Sequence, residues 1–178
     1  MTFKTHITTS LLVSEAFIAI IYPFFKNSFN LTDILIFFVV VVFSSLFPDI
    51  DEEKSTISKI FPGSFLIHKF FKHRGFTHNI FGISLFTYFF YIFSIYIIGL
   101  NNNDSLFFSL SFFLGYSMHL FGDLVTYAGI YNFFIFDKKN WRLNIFNNFK
   151  VGSLYEMRIY LITLIIQLII FIVIFLNS

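Results

Sequence analysis

Two imidazoles, a guanidinium and a hydroxyl fall within six residues of an otherwise apolar stretch. They belong to His73, Arg74, Thr77 and His78, and Gly75 permits a tight bend among them. Imidazole nitrogens bind divalent metal ions or transfer protons near neutral pH. A guanidinium can grip a phosphate or carboxylate with two parallel hydrogen bonds. The segment therefore suggests a metal or catalytic site, although Arg74 could equally anchor the chain at a membrane surface.

A second pair of chemically competent residues is His119 and Asp123. Residues four apart lie on one face of a helix, one above the other. The pair is therefore predicted to supply two ligands to one divalent cation. The alternative is a hydrogen bond that merely satisfies two polar groups at a helix end.

A third candidate segment is acidic and follows Pro48. The residue before a proline avoids the α conformation, so a helix is expected to end here, with Asp49 and Asp51 along an extended turn. A calcium loop of the EF-hand type is excluded, because Lys54 stands where that loop needs glycine. We predict that Asp49 is a metal ligand and Asp51 a second ligand or an orienting group. The alternative is a charged interfacial loop.

These residues are embedded in a very apolar chain, with 57% hydrophobic residues and a mean hydropathy of +0.78. Crossing a hydrocarbon core of about 30 Å takes roughly 20 helical residues. Four runs meet that length approximately: Leu31 to Phe47, Ile80 to Leu100, Ser105 to Val125 and Ile159 to Leu176. A fifth, Ile7 to Phe25, carries Glu15 and lacks a signal-peptide cleavage site, so we interpret it as a retained helix. The expected fold is one all-α membrane domain, residues 1–178, of about five helices, four to five of them transmembrane.

Charge fixes the expected orientation of these helices. Eleven of the twelve Lys and Arg residues fall on one side, and Lys26 alone lies opposite. The positive-inside rule makes that side, with loops 48–79 and 126–156, cytoplasmic. All candidate site residues lie on it: His6, Asp49, Asp51, His73, His78, His119, Asp123 and Glu156. Small residues, which let membrane helices approach closely, lie four positions from four of them: Ser10, Ser45, Gly82 and Gly115.

The ligand chemistry points to a divalent ion. The chain has no Cys, and imidazoles with carboxylates but no thiolate favour Zn, with Mn or Fe as alternatives. Clustered carboxylates repel one another unless a cation lies between them, and one or two ions would suffice. The predicted metal ligands are His6, Asp49, His73, His78, His119 and Asp123. The predicted catalytic residues are Arg74, Glu156 and Asp51.

Some of these residues also have simpler explanations. Ser153 and Glu156 have the spacing of a capping box before an apolar run, and Thr77 is a plausible N-cap for the helix that follows it. His6 could be an ordinary interfacial residue.

Together these segments resemble the LexA-binding, inner-membrane-associated metal-dependent hydrolase family, the YdjM-like proteins. The matching pieces are Thr5-His6 and the segments 47–55, 73–78, 115–126 and 152–156, in the family's order. The resemblance implies a bacterial inner-membrane protein that hydrolyses a substrate with bound metal. The order of candidate ligands is also similar to that of zinc-dependent phospholipase C. This chain departs from that enzyme, because it lacks a second His-x-x-x-Asp pair and an N-terminal Trp ligand.

The expected function is hydrolysis of a phosphoester or phospholipid-like amphiphile by metal-activated water, with Arg74 stabilising the developing negative charge. The expected partners are the lipid bilayer and that substrate. A formal net charge of +2, with no basic stripe, argues against nucleic acid. The alternative is a non-enzymatic transporter or sensor of metal ions or protons. Such a protein needs a polar route across the membrane, for which Glu15 and Gln167 are the notable candidates.

Overall fold

The computed structural model describes residues 1–25, 28–61, 63–64, 75–134, 137–145 and 148–177. These residues form six α-helices: α1 (Phe3–Phe25), α2 (Leu31–Leu46), α3 (Thr56–Ile60), α4 (Ile80–Phe93), α5 (Asn102–Leu124) and α6 (Leu154–Asn177). A small antiparallel hairpin joins β1 (Ile130–Tyr131) to β2 (Asn140–Trp141). The predicted all-α membrane bundle is confirmed, while the hairpin is an addition to it.

Four helical segments are long and apolar enough to cross a membrane: Phe3–Ile21, Leu31–Asp51, Ile80–Ile98 and Asn102–Leu124. At 24 residues, α6 also has the length of a span. Large apolar side chains such as Val39 and Tyr96 point outward from these helices. An outward apolar surface of this kind suits a lipid environment, and it leaves the polar side chains for the interior.

The central helix of the bundle is α5, which packs against α1, α2 and α4. Its closest neighbour is α2, and Gly115 marks the point of contact. A Cβ atom at Gly115 would lie 2.1 Å from Ser44 Oγ and 2.4 Å from the carbonyl oxygen of Val41. The absence of a side chain therefore allows the two helices to approach closely, as predicted from the small residue at this position.

The connections that flank the polar residues differ from the expectations in two places. The α2 helix ends at Leu46, before Pro48 as predicted, but Asp49 and Asp51 lie on a 3-10 turn, Phe47–Asp51, rather than on an extended segment. A second 3-10 turn, Phe76–His78, precedes α4. The N-cap of α4 is Asn79, whose side chain accepts a hydrogen bond from Gly82 N, so the N-cap prediction for Thr77 was wrong.

Candidate metal centre

Five predicted metal ligands come together where the helix ends meet. His6 lies in the first turns of α1, Asp49 follows α2, His78 precedes α4, and His119 and Asp123 lie in the last turns of α5. Two sets have ligand atoms within 4.8 Å of one another: His6 with His119 and Asp123, and Asp49 with His78 and His119. Because His119 belongs to both sets, the five residues form one cluster.

The distances between ligand atoms suit a shared ion. The Oδ1 atom of Asp49 lies 3.5 Å from His78 Nε2 and 3.4 Å from His119 Nε2. The carboxylate oxygens of Asp123 lie 3.5 Å from His6 Nε2, 3.7 Å from His78 Nε2 and 3.9 Å from His119 Nε2. Two ligand atoms each about 2.1 Å from a tetrahedral Zn ion are about 3.4 Å apart. The cluster could therefore hold a metal ion with small adjustments of side-chain position.

The imidazoles of His6 and His119 have lone pairs that no described group satisfies. Both side chains are fully buried, and their rings stack at 3.8 Å between centroids. Within the described part of the chain, neither nitrogen of His6 nor His119 Nε2 makes a hydrogen bond. Leaving a buried polar atom unsatisfied costs about 1–3 kcal/mol, so such atoms need an explanation. A metal ion bound by these nitrogens would be such an explanation, and it would also suit the surrounding carboxylates.

The backbone of α2 fixes the orientation of His119. Its Nδ1 atom lies 2.7 Å from the carbonyl oxygen of Ser45. A carbonyl only accepts hydrogen bonds, so Nδ1 carries the proton and donates it, which leaves the Nε2 lone pair facing Asp49. This contact depends on the close approach of α2 and α5 at Gly115, one turn before His119.

A hydroxyl between two side chains fixes the orientation of His78. Thr77 Oγ1 donates a hydrogen bond to Asp51 Oδ2 over 2.5 Å, and it lies 3.0 Å from His78 Nδ1. Because its hydrogen is used toward Asp51, the Thr77 oxygen accepts from His78 Nδ1–H, and His78 Nε2 faces the cluster. Tyr116 OH donates to the carbonyl oxygen of Thr77. This geometry favours the orienting role for Asp51, one of the two roles left open by the sequence.

The carboxylates around His78 affect its proton. Burial lowers the pKa of His78, but the negative carboxylates of Asp49, Asp51 and Asp123, 3.5 to 3.7 Å from its ring nitrogens, outweigh it and raise the pKa to about 9. The α-amino group of Met1, 2.5 Å from Asp123 Oδ1, is another cation at the cluster. The carboxylates thus hold positive charge, and a metal ion that binds His78 Nε2 must displace its proton.

The carboxylate of Glu156 holds the start of α1 rather than joining either set of close ligand atoms. Its two oxygens accept hydrogen bonds from Thr2 N over 2.5 Å and from Gly152 N over 2.6 Å. Ser153 Oγ accepts from Glu156 N, which is one half of the predicted capping box. Glu156 therefore couples α6 to the segment that carries His6, and its predicted catalytic role stays a prediction.

Among the five described residues of the cluster, exposure is confined to one edge. The side chains of His6, His78, His119 and Asp123 are at most 2% exposed, whereas that of Asp49 is 21% exposed. Among these five residues, Asp49 therefore offers the route by which water or a substrate group reaches the ligand atoms. The predicted His73 and Arg74 lie outside the described residues.

The sequence analysis noted the Thr77 hydroxyl, but two contacts that orient the candidate ligands were not anticipated from the sequence. The hydroxyl of Thr77 connects Asp51 to His78, and the Ser45 carbonyl orients His119. The first had a weak signal, since Thr77 directly precedes a candidate ligand. The second had none, because every residue carries a backbone carbonyl and only the packing of α2 on α5 selects this one.

Comparisons with known proteins match the chain to one family. The model of the YdjM inner membrane protein family matches residues 1–177, which covers every described element. A search of curated proteins found no match, and a search of solved structures also found none.

Proposed function

The chain belongs to the YdjM inner membrane protein family, and from that premise and the geometry of its buried cluster we propose that it is a metal-dependent hydrolase. Family and helices together make it a multi-pass inner membrane protein. The observation that carries the proposal is the convergence of five His and Asp side chains, in which the imidazoles of His6 and His119 have nitrogens that no described residue hydrogen-bonds. Such a cluster inside an apolar bundle is costly without a cation.

The ligands would act as two overlapping sets. One ion would be held by His6, His119 and Asp123 or by Asp49, His78 and His119. If two ions were bound, His119 would serve only one of them, because its Nδ1 donates to the Ser45 carbonyl and Nε2 has a single lone pair. The donor set of imidazoles and carboxylates favours Zn, with Mn or Fe as alternatives. A divalent ion here would act as a Lewis acid and lower the pKa of a water molecule toward about 7.

The protein's own groups would prepare that chemistry. Asp51 and Thr77 would keep His78 in the tautomer that presents Nε2. Asp49, at the open edge, would position the attacking water or accept its proton. Arg74 would stabilise negative charge that develops on the substrate.

The proposed substrate is a phosphoester of an amphiphile. The cluster forms where several spans end, so a substrate there would be at headgroup depth. The excess of Lys and Arg on this side supports a cytoplasmic position for the site, by the positive-inside rule.

The metal is tested first, by elemental analysis of the full chain purified in detergent. We expect a stoichiometric divalent metal in the wild type and its loss in His119→Ala and Asp123→Ala. The matched control is Phe121→Ala, which truncates an exposed side chain on the same turns of α5 and should retain the metal. Folded wild type that binds no metal after reconstitution with Zn or Mn would remove the basis of the proposal.

The reaction is tested second, with the metal identified in the first experiment. Mixed micelles of phosphodiester, phosphomonoester and carboxylic ester lipids would be screened for hydrolysis. We expect turnover of a phosphoester by wild type and Phe121→Ala, and none by His119→Ala. Turnover that is equal in all three proteins would assign the activity to a contaminant.

A second candidate function, transport or sensing of metal ions or protons, is favoured by one contact. Gln167 Nε2 donates to the carbonyl oxygen of Thr8 over 3.3 Å and lies 3.5 Å from Glu15 Oε1. A hydrogen bond between Thr163 and Thr8 hydroxyls extends this polar seam between α1 and α6. Metal or proton flux into proteoliposomes that is lost in Glu15→Gln, without hydrolysis of any lipid tested, would replace the hydrolase by this function.

A further inference from the structure

The segment between α5 and α6 is attached to the ends of two membrane-spanning helices. Phe133 O accepts a hydrogen bond from Ile80 N, the first residue of α4, over 3.0 Å. Leu143 N donates to the carbonyl oxygen of Leu124, the last residue of α5, over 2.8 Å. Ile130, fully buried, packs into the apolar cluster around α5. Residues 127–134 and 137–145, called here the interfacial segment, therefore lie at the depth where two spans end.

The interfacial segment exposes several large apolar side chains. The exposed fractions are 59% for Tyr127, 54% for Tyr131, 42% for Phe134, 38% for Trp141 and 55% for Ile145. The rings of Phe134 and Trp141 pack edge to face at 4.9 Å. A group of exposed aromatic residues is unusual on a water-facing loop and marks an interaction surface. Trp and Tyr are also the residues enriched where a membrane meets water.

The same segment carries an excess of positive charge. It has three basic residues, Lys138, Lys139 and Arg142, and one acidic residue, Asp137. The indole N–H of Trp141 donates to the Asp137 carboxylate, so the polar edge of the ring is satisfied within the segment. Basic residues next to a span are attracted to anionic headgroups. Aromatic rings with neighbouring cations are thus the chemistry that an anionic lipid surface recognises.

We propose that the interfacial segment lies in the headgroup layer of the membrane that the protein spans, with the aromatic rings in the outer acyl region and the cations at anionic headgroups. Its attachment to Ile80 and Leu124 places it next to the ends of spans that themselves expose large apolar side chains, among them Ile80, Phe81 and Phe121. That position favours lipid over a protein partner. The proposal is independent of the hydrolase reaction.

The protein supplies its own probe, because Trp141 is the only Trp in the sequence. The full chain would be placed in nanodiscs of phosphatidylcholine and phosphatidylglycerol, with bromines on the acyl chains either near the headgroup or near mid-chain. Trp141→Phe gives the blank, and Phe89→Trp in that background places the indole at an exposed position within α4. Free N-acetyltryptophanamide gives the response of an indole in water.

We expect a blue-shifted emission for Trp141 and a severalfold stronger quenching by bromines near the headgroup than by bromines near mid-chain. The Phe89→Trp control should show the reverse order. Acrylamide should quench Trp141 severalfold less than the free indole. If neither brominated lipid quenched Trp141, the proposal would be overturned. Strong quenching by acrylamide would then show that Trp141 faces water, and weak quenching would show that protein covers it.

The charged part of the proposal has its own test. In nanodiscs with phosphatidylglycerol, replacing Lys138, Lys139 and Arg142 together by Gln should increase acrylamide quenching of Trp141. Omitting phosphatidylglycerol should have the same effect on the wild type and none on the triple variant. Equal quenching in all four conditions, with helix content unchanged by circular dichroism, would overturn the role of anionic headgroups.

Discussion

The same three helices, α1, α2 and α5, are packed by different chemistry at their two ends. Opposite the metal centre, the described residues pack through aromatic and aliphatic side chains such as Phe37, Phe107 and Phe108. The rings of Phe37 and Phe107 lie 4.9 Å apart, and those of Phe29 and Phe107 lie 3.9 Å apart. At the end that carries the candidate metal centre, called here the metal end, the contacts join specific polar atoms, such as His119 Nδ1 and the Ser45 carbonyl oxygen.

The difference shows which end fixes the helix register. Lipid chains are as apolar as these side chains, so the phenylalanine end gains close packing but little hydrophobic driving force. Several registers would pack Phe against Phe almost equally well. A buried polar atom, in contrast, is costly unless its partner is correctly placed. The metal end therefore specifies how α2 and α5 align, and the phenylalanine end supplies additional contact area.

The largest expected effect comes from the glycine that brings the two helices together. Gly115→Val would place a branched side chain where a Cβ atom alone lies 2.1 Å from Ser44 Oγ. We expect a loss of about 3 kcal/mol or more in the free energy of unfolding, together with loss of metal. Unfolding in denaturant and elemental analysis measure the two effects.

The matched control for this glycine is Leu110→Val, which puts the same residue on an outward-facing position of α5. It should change neither stability nor metal content. If Gly115→Val kept its metal, the close approach at Gly115 would not be what positions the centre.

A smaller effect on stability, with no effect on metal, is expected at the phenylalanine end. Phe37, fully buried, is replaced by Ala, which leaves a cavity of about 100 Å³ that costs about 2 kcal/mol. The transfer contribution is small because the surroundings are apolar in either state. The folded fraction should keep its full metal content. Phe89→Ala, at a position 55% exposed, is the control, and loss of metal in Phe37→Ala would mean that the two ends are coupled.

The sequence predicts the helices better than it predicts the contacts between them. Apolar runs of spanning length identify α1, α2, α4, α5 and α6, and polar residues stand out against them. The hairpin was missed because strands of two residues, Ile130–Tyr131 and Asn140–Trp141, carry no alternating pattern. Gly82 was noted correctly as small, but a Cβ there would meet the Phe76 carbonyl oxygen at 2.4 Å. The small size of Gly82 therefore makes room for the turn before α4 rather than for a neighbouring helix. The spacing of Gly82 from His78 could not indicate this.

A third prediction concerns the hydroxyl that orients one ligand at the metal end. Thr77→Val keeps the shape of the side chain but removes the bridge between Asp51 and His78. Loss of a group that orients a metal ligand typically lowers metal affinity about 10- to 100-fold. Competition with a fluorescent chelator would measure the change. Thr77→Ser retains the hydroxyl and should bind metal as the wild type does, and equal affinity for Ser and Val variants would refute the orienting role.

The smallest and most graded effect is the pH dependence of metal affinity. In the metal-free protein the pKa of His78 is raised from 6.5 to about 9, so its proton stabilises the fold below pH 6.5 and that contribution is lost as the pH rises through about 9. A metal ion needs the deprotonated Nε2. Apparent affinity should therefore rise about tenfold per pH unit between about 6.5 and 9 and then level off.

Neutralising one of the carboxylates near His78 separates the contribution of the His78 proton to the pH dependence of metal affinity from the contributions of the other ligands. In Asp51→Asn the affinity should level off at a lower pH, because one of the carboxylates that raise the pKa of His78 is neutral. Glu53→Gln removes an exposed carboxylate from the same loop and should leave the profile unchanged. A wild-type affinity that is constant from pH 7 to 9 would mean that no proton is displaced from His78. The imidazole would then be a hydrogen-bonding group that stays protonated beside the ion, and the metal would be held by His6, His119 and the carboxylates alone.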